Sequence, residues 1–470
     1  MSRAPIALVL AALCAGCALK PPPDPADVRR DAMPNLAVPD KWTAQGAAAG
    51  VVADGLLASF HDAQLDALVR EVVANNADLR VAAARVEEAA AYAKLAGATL
   101  YPQVSIMARG GGKLSGDGSG LQGGGIFLSW ELDLWGRVRS GREAARFQYE
   151  STVLDAAYAR QSMAALAAKG WFLATEARLQ KVIAQDMVRS SERLVSLALD
   201  RQRVGRGDEY DVALARAGLQ TYRDAAEQLE LARQQALRSL EALAGRYPAA
   251  SLEAPASLDA LPGAVPAGMP SELLERRPDV VAAERRVAAA FYRVEESKAA
   301  RLPRISLTAS GTSISSDLFI LANHANPVWG IGAMLMAPLF TGGALESQVE
   351  IRTAEQKLAV AEYGQVGQRA FGEVENALAS EFTLQSRAGV LRNAVAENER
   401  ALEFANVRYR VGSGDLRAVQ QQQLAVYAAR TALLRVQAEQ LAQRVNLYLA
   451  LGGGWEHAAA ETAPAGAPQK

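Results

Sequence analysis

Few side chains in this sequence have types and spacing suited to chemistry. The three histidines, His61, His324 and His457, lie far apart, and the two cysteines, Cys14 and Cys17, sit near the start. Zinc sites and Cys–His nucleophiles draw on these residue types, so neither is expected: no metal, no cofactor and no catalytic residue. Glu131 and Asp133 are spaced like an acid–base pair of carboxylates. They alternate with Trp130, Leu132 and Leu134, however, which places them on the polar face of a strand, where water solvates them. Lys+Arg number 50 against 51 Asp+Glu, without the basic excess of a nucleic-acid binder. What remains is the thiol of Cys17 and two glycine-rich turns.

The segment MSRAPIALVLAALCAGC has one positive residue, Arg3, an apolar run from Pro5 to Leu13, and small Ala15 and Gly16 before Cys17. That order is a secretory signal, too short to span a membrane, and predicts removal of residues 1–16. The junction resembles a bacterial lipobox, although Leu13 stands one position farther from Cys17 than the motif places its leucine. The resemblance implies lipidation of Cys17 with palmitate and, with Ala18 following, sorting to the outer membrane. Cys14 leaves with the signal, so no disulfide is expected. Pro21–Arg30 reads as an extended spacer within a lipid-anchored segment over 17–60.

The two turns are RQRVGRGD (201–208) and RYRVGSGD (408–415). Gly205 and Gly412 can take the left-handed conformation that reverses a chain, leaving Val204, Arg206, Val411 and Ser413 beside them at the turn. The elements that position the turns repeat too. ADLRVAAARV (77–86) matches PDVVAAERRV (278–287), and YPQVSI (101–106) matches LPRISL (302–307). Each half runs helix, proline break, strands, very long helix, turn, helix. The first repeat is expected at 61–247, with a hairpin at 103–134 and helices at 137–204 and 208–245. A linker at 248–270 leads to the second repeat at 271–452, with a hairpin at 304–338 and helices at 343–411 and 415–451. Residues 453–470 are expected to be disordered.

Half of the residues are hydrophobic but only 6% aromatic, and alanine supplies much of the difference, as in long, closely packed helices. A proline-free run of ~67 residues makes a rod of about 100 Å. Ile183, Met187, Ser190, Leu194, Leu197, Arg201 and Val204 step by alternate fours and threes, a coiled-coil seam; Leu391, Val395, Asn398, Leu402, Ala405 and Tyr409 keep the rhythm. In the hairpins, apolar and polar residues alternate over runs long enough to cross a bilayer as tilted strands. Trp130, Trp135 and Trp329 are candidate interfacial aromatics. Four strands cannot close a barrel, and lipid does not tolerate an open edge. Two chains would give eight strands and three would give twelve; a wide passage favours three. The expected fold class is a mixed α and β membrane protein, a trimeric twelve-strand outer-membrane β-barrel continued by a long α-helical coiled-coil periplasmic tunnel.

SWELDLWGRVRS (129–140), LLERRPDVVAAE (273–284), APLFTGG (337–343), EVENAL (373–378) and RYRVGSGD (408–415) together resemble the TolC-like outer membrane factors, in the lipoprotein branch serving resistance-nodulation-division efflux pumps. WTAQ (42–45) and FHDAQLDALV (60–69) fit the family's N-terminal segment, so the resemblance covers residues 17–452. It implies a homotrimer among outer-membrane lipid that passively exports small molecules such as drugs and toxic organic compounds. Its partners would be a periplasmic adaptor (membrane fusion) protein and an inner-membrane resistance-nodulation-division transporter; no nucleic acid and no enzymatic activity are implied. The closest alternative is the channel of a type I protein secretion system. In the family a similar Val-Gly turn meets the adaptor's helical hairpin, which implies adaptor contact at both turns here. Relatives constrict the periplasmic end with rings of an aliphatic residue and an aspartate; the aligned positions here are Arg417 and Gln421. The departure argues against a cation-binding aspartate gate. The expectation is instead that Arg417 lines the constriction and pairs with Asp208 or Asp211 of an adjacent helix. Gln420–Gln423 read as a solvated helix face, and Pro278–Asp279 as a helix start behind Glu275, Arg276 and Arg277.

Overall fold

A computed structural model describes residues 19–48, 50–52, 54–109, 122–315 and 327–454. Cys14, Cys17, both hairpin loops and the tail beyond 454 lie outside them. The larger elements are helices α1 (Pro25–Ala32), α2 (Ala63–Asn75) and α3 (Ala77–Ala98), strands β1 (Gln103–Arg109) and β2 (Gln122–Leu132), and helices α4 (Arg137–Arg203) and α5 (Glu209–Leu243). Helix α6 (Pro278–Ala299), strands β3 (Arg304–Ser315) and β4 (Pro327–Met336), and helices α7 (Ala344–Val411) and α8 (Leu416–Ala450) follow in the same order. Among the described residues no helix is long and apolar enough to cross a membrane.

The chain forms two compact units, and each draws on both repeats. The first comprises the chain up to Leu36, Ala83–Asp155 and Asp279–Gly367. It contains a four-stranded antiparallel sheet in the order β1-β2-β3-β4. In the same unit Phe147 stacks on Tyr292 with ring centroids 5.7 Å apart, in a cluster with Ala144, Ala289 and Phe291 against which Leu19 packs. Helix α1 lies against α7 so closely that a Cβ at Gly364 would stand 2.4 Å from the Ala32 carbonyl oxygen; glycine is needed there for space.

The second unit comprises Ala37–Ala82, Ala156–Pro278 and Gln368 onward. Over residues 183–204 of α4 the buried positions are Ala184, Met187, Ser191, Leu194 and Ala198. The expected seam is therefore corrected: Met187 and Leu194 hold, but Ile183, Ser190 and Leu197 are only half-buried, and the small residue one step later takes each place. Small side chains let the neighbouring backbone come closest, so the helix turns its alanine edge inward. Two arginines are buried in this unit. Arg277 donates to Glu373 at 2.6 Å and to the Ala450 carbonyl at 3.2 Å, at the end of α8. Arg444 pairs with Glu381 and donates to the Pro262 carbonyl at 2.8 Å, fixing the linker. The RRPD motif is thus a structural clasp as well as a helix start.

Glu241 is a third buried charge. It accepts from the backbone N–H groups of Ala250, Ser251 and Leu252 at 2.6, 2.6 and 3.1 Å, and from Ser251 Oγ at 2.8 Å. Ala250 has φ +57°, a strained conformation that this carboxylate holds in place. Burial pushes the Glu241 pKa up, but the hydroxyl and three backbone donors outweigh it and hold it below the ordinary carboxylate value. A depressed carboxylate contributes stability above its unfolded pKa and loses it as pH falls through the folded one. Glu241→Gln is expected to cost about 1–3 kcal/mol at pH 7, for donors left poorly satisfied. The difference from wild type should shrink below about pH 4, as read by unfolding midpoints across pH. A pH-independent difference would contradict this account.

Candidate functional site

Two features of the chain stand apart from ordinary core packing: the sheet and the pair of turns. In the sheet, register decides which residues share a face. Val104 pairs with Leu128, Leu128 with Ala309, and Ala309 with Ile331, an apolar row across all four strands. The next row is Ser105, Phe127, Ser310 and Gly330, on the opposite face. Alternation then repeats, with Ile106, Ile126, Gly311 and Trp329 on the first face and Gln103, Ser129, Thr308 and Gly332 on the second. One face is therefore apolar and largely uncovered within the chain: Ile106, Trp329 and Ile331 are 79–94% exposed. The other is rich in Ser, Thr and Gly. Strands β1 and β4 each have one unpaired edge among the described residues.

The three tryptophans divide between the two ends of this sheet. Trp130 and Trp135 lie near the helical end, donating to the carbonyls of Leu100 at 2.9 Å and Pro303 at 2.7 Å. Trp329 lies toward the other end, where its ring covers Gly311; a Cβ there would stand 2.7 Å from the ring.

The turns are two copies of one device. The Arg206 N–H donates to the Arg201 carbonyl at 2.8 Å, and the Ser413 N–H to the Arg408 carbonyl at 2.9 Å, closing each long helix. Gly205 and Gly412 have φ +69° and +86°, with nothing within 4 Å of where a Cβ would stand. Conformation, not space, demands glycine there. At Gly414 the reverse holds, since a Cβ would meet Arg408 Cβ at 3.0 Å. Asp208 and Asp415 then cap the following helices, accepting from the N–H groups of Asp211 at 2.9 Å and Ala418 at 2.8 Å. Val204 and Val411 are 67% and 71% exposed, and Arg206 and Ser413 are exposed beside them. Gly205→Ala and Gly412→Ala are each expected to cost about 1–2 kcal/mol, from the left-handed conformation alone. Denaturation midpoints of the detergent-solubilised protein would show it; an unchanged midpoint contradicts the assignment.

Arg201 and Tyr409 join the two turns. The Arg201 guanidinium donates to the Tyr409 carbonyl and, at 3.0 Å, to that of Arg206, and it lies 4.5 Å from the Tyr409 ring centroid. Tyr409 is buried with Leu194, Val212, Leu416 and Val419, and its hydroxyl donates to Asp211 at 3.5 Å. Burial, followed by the nearby Asp211 charge, pushes its pKa up. Within the chain Arg417 meets neither expected aspartate. Its guanidinium lies 5.2 Å from the Tyr210 ring centroid, and it has no ion pair among the described residues. Asp208 is occupied as a cap and Asp211 by Tyr409.

The glutamine run is corrected as well. Gln420 donates to the Leu214 carbonyl on α5 at 2.7 Å, Gln422 to Asn398 Oδ1 on α7 at 2.8 Å, and Gln423 to Ser190 Oγ on α4 at 3.1 Å. Three neighbours in sequence tie α8 to three different helices, and Gln421 alone of the four is exposed. At 100° per residue, adjacent side chains fan around the helix, so a helix surrounded by others uses each of them. Among the described residues no group of three or more His, Cys, Asp or Glu side chains is placed to hold a metal ion.

The outer membrane efflux protein family model matches residues 68–246 and 269–453. The probable efflux pump outer membrane protein TtgC of Pseudomonas putida is 31% identical over 407 residues, 84% of this chain and 84% of that protein. The cation efflux system protein CusC of Escherichia coli is 30% identical over 453 residues, 94% of this chain and 96% of that protein. The open-state structure of the MtrE outer membrane channel of Neisseria gonorrhoeae superposes with a TM-score of 0.79 at 27% identity, covering 94% of this chain and 98% of that one.

Proposed function

Because the chain belongs to the outer membrane efflux protein family, we propose that three copies close a twelve-strand barrel and form the passive outer-membrane conduit of a tripartite pump. The observation that carries this reading is the sheet, with one apolar face, one polar face and two unpaired edges. In lipid an unpaired strand edge is prohibitively costly, so the edges must pair with other copies. The apolar faces then meet lipid and the polar faces line water. The conduit exports small molecules, drugs or toxic organic compounds, supplied by a resistance-nodulation-division transporter through a periplasmic adaptor. The names of the relatives favour this over protein secretion. Planar-bilayer recording on the purified trimer tests it; a correctly folded trimer that passes no ions would refute it.

The exposed Val204 and Val411 turns are the adaptor contact in this reading. Bulky replacements of Gly205 and Gly412 should abolish efflux while trimers persist in the membrane; loss of trimers as well would make the turns purely structural. Arg417 and Gln421 line the periplasmic constriction, with Asp208 or Asp211 of a neighbouring copy as partners for Arg417. Unchanged closed-state conductance in Arg417→Ala would remove that role. Cys17 carries the lipid, and palmitate labelling that survives Cys17→Ser would disprove it.

A further inference from the structure

The polar face of the sheet carries little charge among the described side chains. Among its residues with described side chains, Glu131 and Arg304 are the ionised groups; the rest are Ser, Thr, Gln, Gly, Met, Phe and Val. Both lie at the end of the sheet that leads into α4. Glu131 is neutralised locally, because it accepts from Arg137 Nε at 3.0 Å and Nη2 at 2.8 Å. The next carboxylate, Asp133, accepts from the N–H groups of Val138 and Arg139 at 3.1 and 2.9 Å and pairs with Arg139 at 3.1 Å. Each carboxylate is thus matched by an arginine in the first turn of α4. Arg304 has no such match. It is exposed, its strand partner is Met336, and it makes no ion pair among the described residues. Of the ionised groups with described side chains on this face, Arg304 is therefore the one without an ion-pair partner.

We propose that Arg304 sets the charge preference of the passage, so that anionic and neutral solutes leave more readily than organic cations. The inference rests on the proposed closure of three copies into a barrel, which places three Arg304 side chains in one ring. A fixed charge against a low-dielectric wall focuses its field into the water of the passage; the neighbouring Ser306 and Met334 are neutral, and Glu131, across from Ser306, is already held by Arg137. At low salt, where the screening length exceeds about 10 Å, the ring acts across much of the opening.

The test is the reversal potential of single purified trimers in a planar bilayer under a KCl gradient at low ionic strength. Arg304→Ser should lower the chloride-to-potassium permeability ratio by about twofold or more. Arg304→Glu should move it further toward potassium, and Arg304→Lys should keep the wild-type value. The control removes a matched pair: Arg301→Ser combined with Glu346→Ser, whose side chains meet at 3.5 Å, leaves the net charge unchanged and should leave the potential in place. High salt should erase the differences. Conducting Arg304→Ser and Arg304→Glu channels with unchanged reversal potential would overturn the assignment while leaving the channel reading intact. Absence of conductance in wild type would bring down the channel reading, and this inference with it. Should Arg304→Glu fail to assemble, Arg304→Ser and Arg304→Gln decide the question alone.

Discussion

Glu373→Ala is expected to destabilise the protein by about 3 kcal/mol, more than Arg277→Met at the other end of the same pair. The asymmetry follows from burial. Arg277 is fully buried, whereas the Glu373 side chain is 42% exposed. Without Glu373 the guanidinium loses the carboxylate it meets at 2.6 Å, while the Ala450 carbonyl at 3.2 Å and Tyr158, whose hydroxyl is 3.5 Å away and whose ring centroid is 5.8 Å away, are neutral and do not replace that charge. Taking a close carboxylate away from a fully buried guanidinium is a large penalty. Without Arg277 the carboxylate stays in contact with water and with Arg369 at 3.7 Å. The losses then include the cap on the last carbonyl of α8, about 1–2 kcal/mol, and the contact with Tyr158, and they are offset by the apolar volume of methionine. Trp42 and Trp171 are buried in the same unit, so their fluorescence reports its unfolding in denaturant. Equal losses for the two variants would mean that the difference in burial across the pair is not what matters.

The second large effect is a difference between neighbours. Ala309→Arg should prevent assembly of the barrel, at a cost of about 2–4 kcal/mol per copy, while Ser310→Arg should be tolerated. Both positions sit at the middle of β3, one residue apart, in rows that register assigns to opposite faces. An arginine at Ala309 would be set among Leu128 and Ile331 against lipid; at Ser310 it would stand beside Phe127 and Gly330 in water. Outer-membrane fractionation with heat-resistant trimers on gels separates the outcomes. Equal tolerance at both positions would contradict the membrane assignment of the apolar face.

The strands were legible because period-two alternation is a local signal, and all four strands carry it: Val104 and Ile106, Ile126 and Leu128, Leu307 and Ala309, Trp329 and Ile331. The registers add that these four sets coincide on one face, which no single strand reveals. The long helices were legible from missing prolines and a heptad rhythm. Their exact buried edge was not, because Ala184, Ser191 and Ala198 are too small or polar to stand out from the surrounding alanine-rich pattern. The positive φ of the turn glycines follows from residue type, since left-handed backbone favours glycine. The partners of Arg417, Arg277 and Gln420–Gln423 depend on contacts far away in the chain. Gln423 meets Ser190, 233 residues distant, and spacing along the chain holds no record of such a pairing.

The unpaired edges of β1 and β4 have a genetic consequence. A chain whose sheet is completed only by its neighbours cannot insert alone, so a defective copy is incorporated rather than ignored. If a variant that is competent to pair but blocked elsewhere is expressed at the level of the wild type, random mixing leaves only about one barrel in eight built wholly from sound copies. Such alleles, for instance at Gly205 or Gly412, should therefore be dominant over the chromosomal copy. An edge-disrupting allele should be recessive, because its product never enters the ring.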